Sequence, residues 1–239
     1  MVKDLEELLS SPSPEKQWEA VQSPDFSLED AFFLLKNRAL HPSVIEYLAR
    51  KRELMEKGRF KVLLVSHPNV PLHLGLDLIP HLLPMELLQV IKSPSTNPQI
   101  RKRAELALRD GMRKYPKGLR ISMARQLPPS SHFVMLQERD LEVLKAFLQN
   151  PSLNLSSVLR LLERGDLPGE FYSYLYYKTR WGLRQEVKLK IALAKNSPIP
   201  LVLRIINELN RAQLLQLEKS PHQPDVILRR VRLLLGKEV

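Results

Sequence analysis

Apolar residues recur at helical spacing along nearly the whole chain. After Pro71, the side chains of Leu72, Leu76, Ile79 and Leu83 fall at i, i+4, i+7 and i+11, one face of an α-helix. Near the C-terminus Ile227, Val231 and Leu234 repeat the pattern. No segment of useful length alternates apolar and polar residues as a half-buried strand does. Prolines interrupt the helical pattern in recurring polar-then-proline steps: SPSP (11–14), SP (23–24), HP (41–42), HPNVP (67–71), SPSTNP (93–98), NP (150–151), NSPIP (196–200) and SPHQP (220–224). Such a step starts a helix, because Ser or Asn caps free N–H groups and proline tolerates the first turn. Starts and stops of this kind predict about sixteen short helices. The expected fold is all-α.

The chain also repeats itself. VQSPDFSL (21–28) aligns with LQNPSLNL (148–155) at an offset of 127, pairing Leu34 with Leu161, Leu40 with Leu167 and Tyr47 with Tyr174. A two-residue insertion then moves the register to 129, where VSHPNVPLHL (65–74) meets AKNSPIPLVL (194–203). The offset returns to 127 for LLQVIKSP (87–94) against LLQLEKSP (214–221), and residues 87–108 hold ten identities in 22 positions. Leucine richness alone does not produce that many. The reading is two homologous halves, residues 1–112 and 128–239, joined by a helical connecting segment, 113–127. Each half is a run of short helices that cannot bury its apolar faces alone, so stacking predicts a single continuous α-solenoid.

The units LVSHPNVPLHLGLDLIPHLLPMELLQVIKSP and LAKNSPIPLVLRIINELNRAQLLQLEKSP resemble the leucine-rich-repeat-variant and HEAT-like helical repeats of bacteria. The resemblance covers most of the chain. It implies a curved, right-handed helical stack used for binding, and it supplies no catalytic residue, cofactor or metal ligand.

Composition narrows the function. There is no cysteine, which excludes disulfide scaffolds, zinc ribbons, iron–sulfur clusters and thiol catalysis. Eight glycines against nineteen prolines leave little material for glycine-rich phosphate loops. None of G-x-x-x-x-G-K-[ST], G-x-G-x-x-G, H-E-x-x-H or G-x-S-x-G occurs, so no enzymatic activity and no small-molecule substrate is inferred. The HEAT-like alkylpurine DNA glycosylases share the predicted class, but none of their Trp- and Asp-bearing segments is in register here. The acidic N-terminus is not a secretory signal and no apolar run is long enough to span a membrane, which makes the cytoplasm the expected location.

Charge suggests candidate surfaces. The formal net charge is +11, yet residues 1–35 carry two lysines and eight acids. That acidic segment is expected to cap the stack, or to cover part of a basic surface in cis. Basic residues recur at corresponding positions of the halves: Arg59 and Lys188, Lys61 and Lys190, Lys102 and Arg229, Arg103 and Arg230. On one face of a solenoid these eight would form a stripe able to follow a phosphate backbone without reading sequence. Equally, Lys and Arg solvate helix faces in any basic protein.

FYSYLYYKTRW (171–181) concentrates aromatic residues beside Lys178 and Arg180. Phe171, Tyr174 and Leu175 fit a buried face, while Tyr172, Tyr176 and Trp181 point differently and are the first suspects for an exposed partner-binding patch. His73, Asp77 and His81 stand at i, i+4 and i+8, but Pro80 interrupts the helix and the second half has Val202, Ile206 and Asn210 there, so a solvated polar stripe is expected rather than a metal site. The leading expectation is a non-enzymatic scaffold or adaptor that binds a protein partner. The alternative is sequence-independent nucleic-acid binding along the stripe, with an anionic membrane surface as a weaker third option.

Overall fold

The computed structural model describes residues 2–237, with side chains from Leu5 onward, and it is helical throughout with no strand among those residues. The chain divides after Lys114 into two compact units. The first holds α1 (Val2–Ser10), α2 (Pro14–Gln22), α3 (Leu28–Leu34), α4 (Pro42–Ala49), the single-turn α5 (Arg52–Met55), α6 (Gly58–Val65), α7 (Leu72–Leu78), α8 (Pro84–Lys92) and α9 (Pro98–Gly111). The second holds α10 (Lys117–Ala124), α11 (Leu141–Leu148), α12 (Leu155–Leu162), α13 (Gly169–Lys178), α14 (Gln185–Leu193), α15 (Ile199–Ile206), α16 (Arg211–Glu218) and α17 (Asp225–Leu235). Short 3-10 stretches lie at Ile79–His81, Met112–Lys114, Pro129–Gln137 and Arg180–Leu183. No described helix is long and apolar enough to cross a membrane.

Only some of the polar-proline steps start helices in the way anticipated; Pro24, Pro68, Pro94, Pro151 and Pro221 fall in turns ahead of the next helix, because the short connections between helices also use the fixed φ of proline. Ser13 caps α2 and Asn97 caps α9 by accepting backbone N–H bonds, each with proline in the first turn. His41 does the same for α4 through its ring nitrogen. Elsewhere Ser27, Asp140, Asn154 and Asn210 cap without proline.

Within the first unit α1 packs on α3 and α6 on α8, while α2 packs on α4 and α7 on α9. Within the second, α12 packs on α14 and α14 on α16, while α11 packs on α13 and α15 on α17. Residues 115–127 of the expected connecting segment pack with the second unit, where α10 lies against α11.

The buried faces differ from the periodic reading at two helices. Of Leu72, Leu76, Ile79 and Leu83, only Ile79 is buried, and Leu83 is 64% exposed. The helix ends at Leu78 and Pro80 sits in the following 3-10 turn, so the 100° step between residues is lost before Leu83. The packing contact of α7 is Gly75, where a Cβ would lie 2.2 Å from Ile100 Cδ1 of α9. At α17, Ile227 and Val231 are buried, but Leu235 rather than Leu234 completes the face.

Helix starts in the two units correspond at a constant spacing. The starts of α2, α3, α4, α6, α7, α8 and α9 recur 127 residues later at α11, α12, α13, α14, α15, α16 and α17. Hydrogen bonds keep the same register. The Asn69 side-chain amide donates to the carbonyls of Arg38 and Leu40, and the Asn196 amide donates to those of Gly165 and Leu167. Asn37 reaches the carbonyls of Leu9 and Ser11; its counterpart Arg164 reaches that of Glu138, the position equivalent to Ser11, and that of Met135, one residue before the equivalent of Leu9. The register thus stays at 127 through 65–74, and the shift to 129 followed an alignment of Pro71 with Pro200 that the backbone does not share. Each of these side chains ties one interhelical turn to the preceding one, supplying donors to carbonyls that helix packing removes from water.

Candidate functional site

Three of the eight proposed phosphate-binding cations are held by acids of their own unit. Lys61 Nζ lies 3.2 Å from Glu86 Oε2, with both side chains mostly buried. Lys188 Nζ lies 2.7 Å from Glu208 Oε2 and Lys190 Nζ lies 3.3 Å from Glu163 Oε1. Arg230 donates to Asn207 Oδ1 at 3.0 Å, and the Arg59 guanidinium lies 5.8 Å from the Phe32 ring centre. Lys102, Arg103 and Arg229 are exposed. Lys61 and Lys188 therefore act within the fold and are poorly placed to meet phosphate, which corrects their assignment to an open stripe. In the acidic N-terminal segment, Glu7 pairs with Lys16 and Asp30 closes a capping box with Ser27.

The aromatic run also divides. Tyr172 is fully buried and Trp181 is 6% exposed, so neither belongs to a protruding patch. Both neighbours Phe171 and Tyr172 are inside because α13 is packed by α11 on one side and by the 180–183 turn on another. Among the described residues the Tyr172 hydroxyl has no hydrogen-bond partner, and burial pushes its ionisation up. Tyr176 remains half-exposed and donates its hydroxyl to Glu208, whose carboxyl the Lys188 ammonium, first, and this hydroxyl hold below the usual range. Tyr177, which the sequence did not single out, is 51% exposed, with the Arg204 guanidinium 5.5 Å from its ring centre.

The His73, Asp77 and His81 series does not stay on one helix, since His81 falls in the 3-10 turn. His73 Nε2 lies 3.6 Å from Glu46 Oε1, and the His81 carbonyl accepts from Lys61. No group of three or more metal-ligating side chains comes together among the described residues.

What the fold does bring together is a cleft in each unit, at the same place in the register. The connections α4 to α6 and α13 to α14 each carry one extra turn, α5 in the first unit and Arg180–Leu183 in the second. Each turn faces the start of an earlier helix, α3 or α12. In the first unit this leaves an open cavity of about 900 Å³ whose lining includes Leu28, Tyr47, Arg50, Lys51, Glu53 and Lys57. In the second it leaves one of about 610 Å³ lined by Leu155, Arg180, Trp181, Leu183 and Arg184. Leu28, Leu54 and Lys57 of the first cleft correspond, 127 residues on, to Leu155, Trp181 and Arg184 of the second.

Each cleft holds a cation against an aromatic ring. Lys51 Nζ sits 4.7 Å from the centre of the Tyr47 ring, and the Arg180 guanidinium sits 4.6 Å from the centre of Trp181. Arg180 is fixed further by donating to the Leu153 carbonyl at 3.1 Å. The backbone makes room for this turn at Gly182, where a Cβ would lie 2.1 Å from the Tyr176 carbonyl oxygen. Apolar surface stands beside these charges: Leu28 is 40% and Leu183 79% exposed. The signal available in the sequence was the cation-leucine-cation order around Leu183, which has no helical period to mark it.

Comparison of the chain with protein-family models, with curated proteins and with solved structures gave no match.

Proposed function

We propose that the chain is a helical-repeat binding protein, a HEAT-like α-solenoid of two corresponding halves that holds a protein partner and performs no chemistry of its own. The observation that carries this reading is a cleft at corresponding places in the two units, each with a cation held against an aromatic ring and an exposed leucine, although these groups come from different positions. Exposed apolar side chains set among charged groups are the ordinary material of a protein interface, whose centre excludes water and whose rim is polar. Solenoid architecture finds support in the way helices pack on their next-but-one neighbours and in the turn-to-turn hydrogen bonds.

Sequence-independent polyanion binding keeps one observation in its favour, the exposed basic side chains of α9 and α17 against a net charge of +11. The pairing of Lys61, Lys188 and Lys190 with acids weakens it. Fluorescence anisotropy of labelled duplex DNA, single-stranded DNA and RNA at two salt concentrations separates the two readings. A protein-binding module gives only weak, non-saturating signals at physiological salt. Tight binding that falls steeply with salt would overturn it in favour of phosphate contacts, whose number the log–log slope counts.

A further inference from the structure

We propose that each cleft takes one acidic peptide segment, so that a single chain binds two, an inference that rests on the protein-binding reading above. The chemistry of the linings identifies the ligand. In the second cleft Arg180 and Arg184 flank Leu183, and no acid lies among the lining residues. The Arg180 guanidinium is stacked on Trp181 and anchored to Leu153, which lowers the cost of ordering its remaining N–H groups against a carboxylate. Leu183, 79% exposed between these cations, offers a seat for an apolar side chain. The first cleft supplies the same groups from other positions, since Glu53 and Glu56 stand where the second has Arg180 and Leu183: its cations are Lys51, held on Tyr47, and Lys57, and its exposed leucine is Leu28.

Two features favour a peptide over a nucleic acid. Glu53 and Glu56 stand among the cations of the first cleft, where an unbroken row of phosphates would meet them. A peptide instead alternates charge with apolar side chains and can match cation to carboxylate and leucine to leucine. The aromatic rings, moreover, are already covered by their own cations, so they are not open platforms for bases.

The test uses the full chain and a synthetic peptide alternating Glu with Leu, with a Gln-for-Glu counterpart as control. Isothermal titration at low salt is expected to show two equivalents of the Glu peptide, weakening as salt rises, and none of the Gln peptide. Leu183→Glu or Arg184→Glu should abolish one equivalent and Lys51→Glu the other. All three positions are exposed, and circular dichroism verifies that each variant stays folded. A Trp18→Phe variant leaves Trp181 as the one tryptophan, so its fluorescence should respond to peptide when Lys51→Glu is added and fall silent when Arg184→Glu is added.

Absence of binding at low salt, equal binding of the Gln peptide, or a stoichiometry unmoved by these substitutions would overturn the proposal. Duplex DNA titrated in parallel tells the two failures apart. A chain that ignores both peptide and DNA loses only this inference, whereas one that ignores the peptide and binds DNA tightly loses the protein-binding reading as well.

Discussion

Lys188 Nζ and Glu208 Oε2 stand 2.7 Å apart, joining α14 to the residue that follows α15 by a turn, and the Lys188 side chain is only 11% exposed. Removing the carboxylate charge would leave a mostly buried ammonium without its counterion, and Tyr176 with a weaker acceptor. Glu208→Gln is therefore expected to cost about 1–3 kcal/mol, read as a lower urea midpoint at unchanged slope. An unshifted midpoint would mean that solvent already screens the pair.

Asn69 and Asn196 make equivalent bonds to carbonyl pairs in the preceding turn. Substituting either by alanine strips two carbonyls of their donor. Each variant should lose about 1–2 kcal/mol, the Asn69 variant somewhat more, because its bonds of 2.9 and 3.0 Å are shorter than the 3.4 and 3.3 Å of Asn196. Chemical denaturation of both single variants measures this, and a large inequality would show that the correspondence of the units stops at the backbone.

Stability should fall with acid in the histidine range. His67 Nε2 donates to the Asn37 carbonyl and its Nδ1 accepts from the Asn69 N–H, while His132 lies between the Leu127 carbonyl and the Ser157 hydroxyl. Burial holds both rings below the usual imidazole range. With the folded pKa lowered, the unfolded chain takes up protons first as pH drops below about 6.5, so stability is complete above that value and declines beneath it until the lowered folded pKa is passed. Urea midpoints compared at about pH 7.5 and about pH 5.5 should differ, and the difference should shrink in a His67→Gln, His132→Gln variant.

The all-helical class was legible because proline and its capping partner act locally: Ser13 with Pro14, and Asn97 with Pro98, need only their own turn. Face assignment failed at Leu83 because α7 is only two turns long and a 3-10 turn follows it, and at Leu234 because the next inward position after Val231 in α17 is i+4, Leu235, and not i+3. The sites were harder still. That Lys61 meets Glu86 and Lys188 meets Glu208 depends on helices brought together by packing, which charge counts along the chain do not contain. Tyr172 looked available because it lies off the Phe171–Leu175 face, yet α13 is covered from two directions. The clefts depend on turns of four residues, too short to leave a hydrophobic rhythm.

The turn-to-turn bonds carry a kinetic consequence. The side-chain links described above join residues no more than 32 apart in a chain of 239, with Tyr176 to Glu208 the longest. Native structure can therefore be gained by closing short loops one after another, since none of the links described above waits on a distant pairing. Topologies of low contact order fold in microseconds to milliseconds, and a fold linked in this way has as many places to begin as it has adjacent turns.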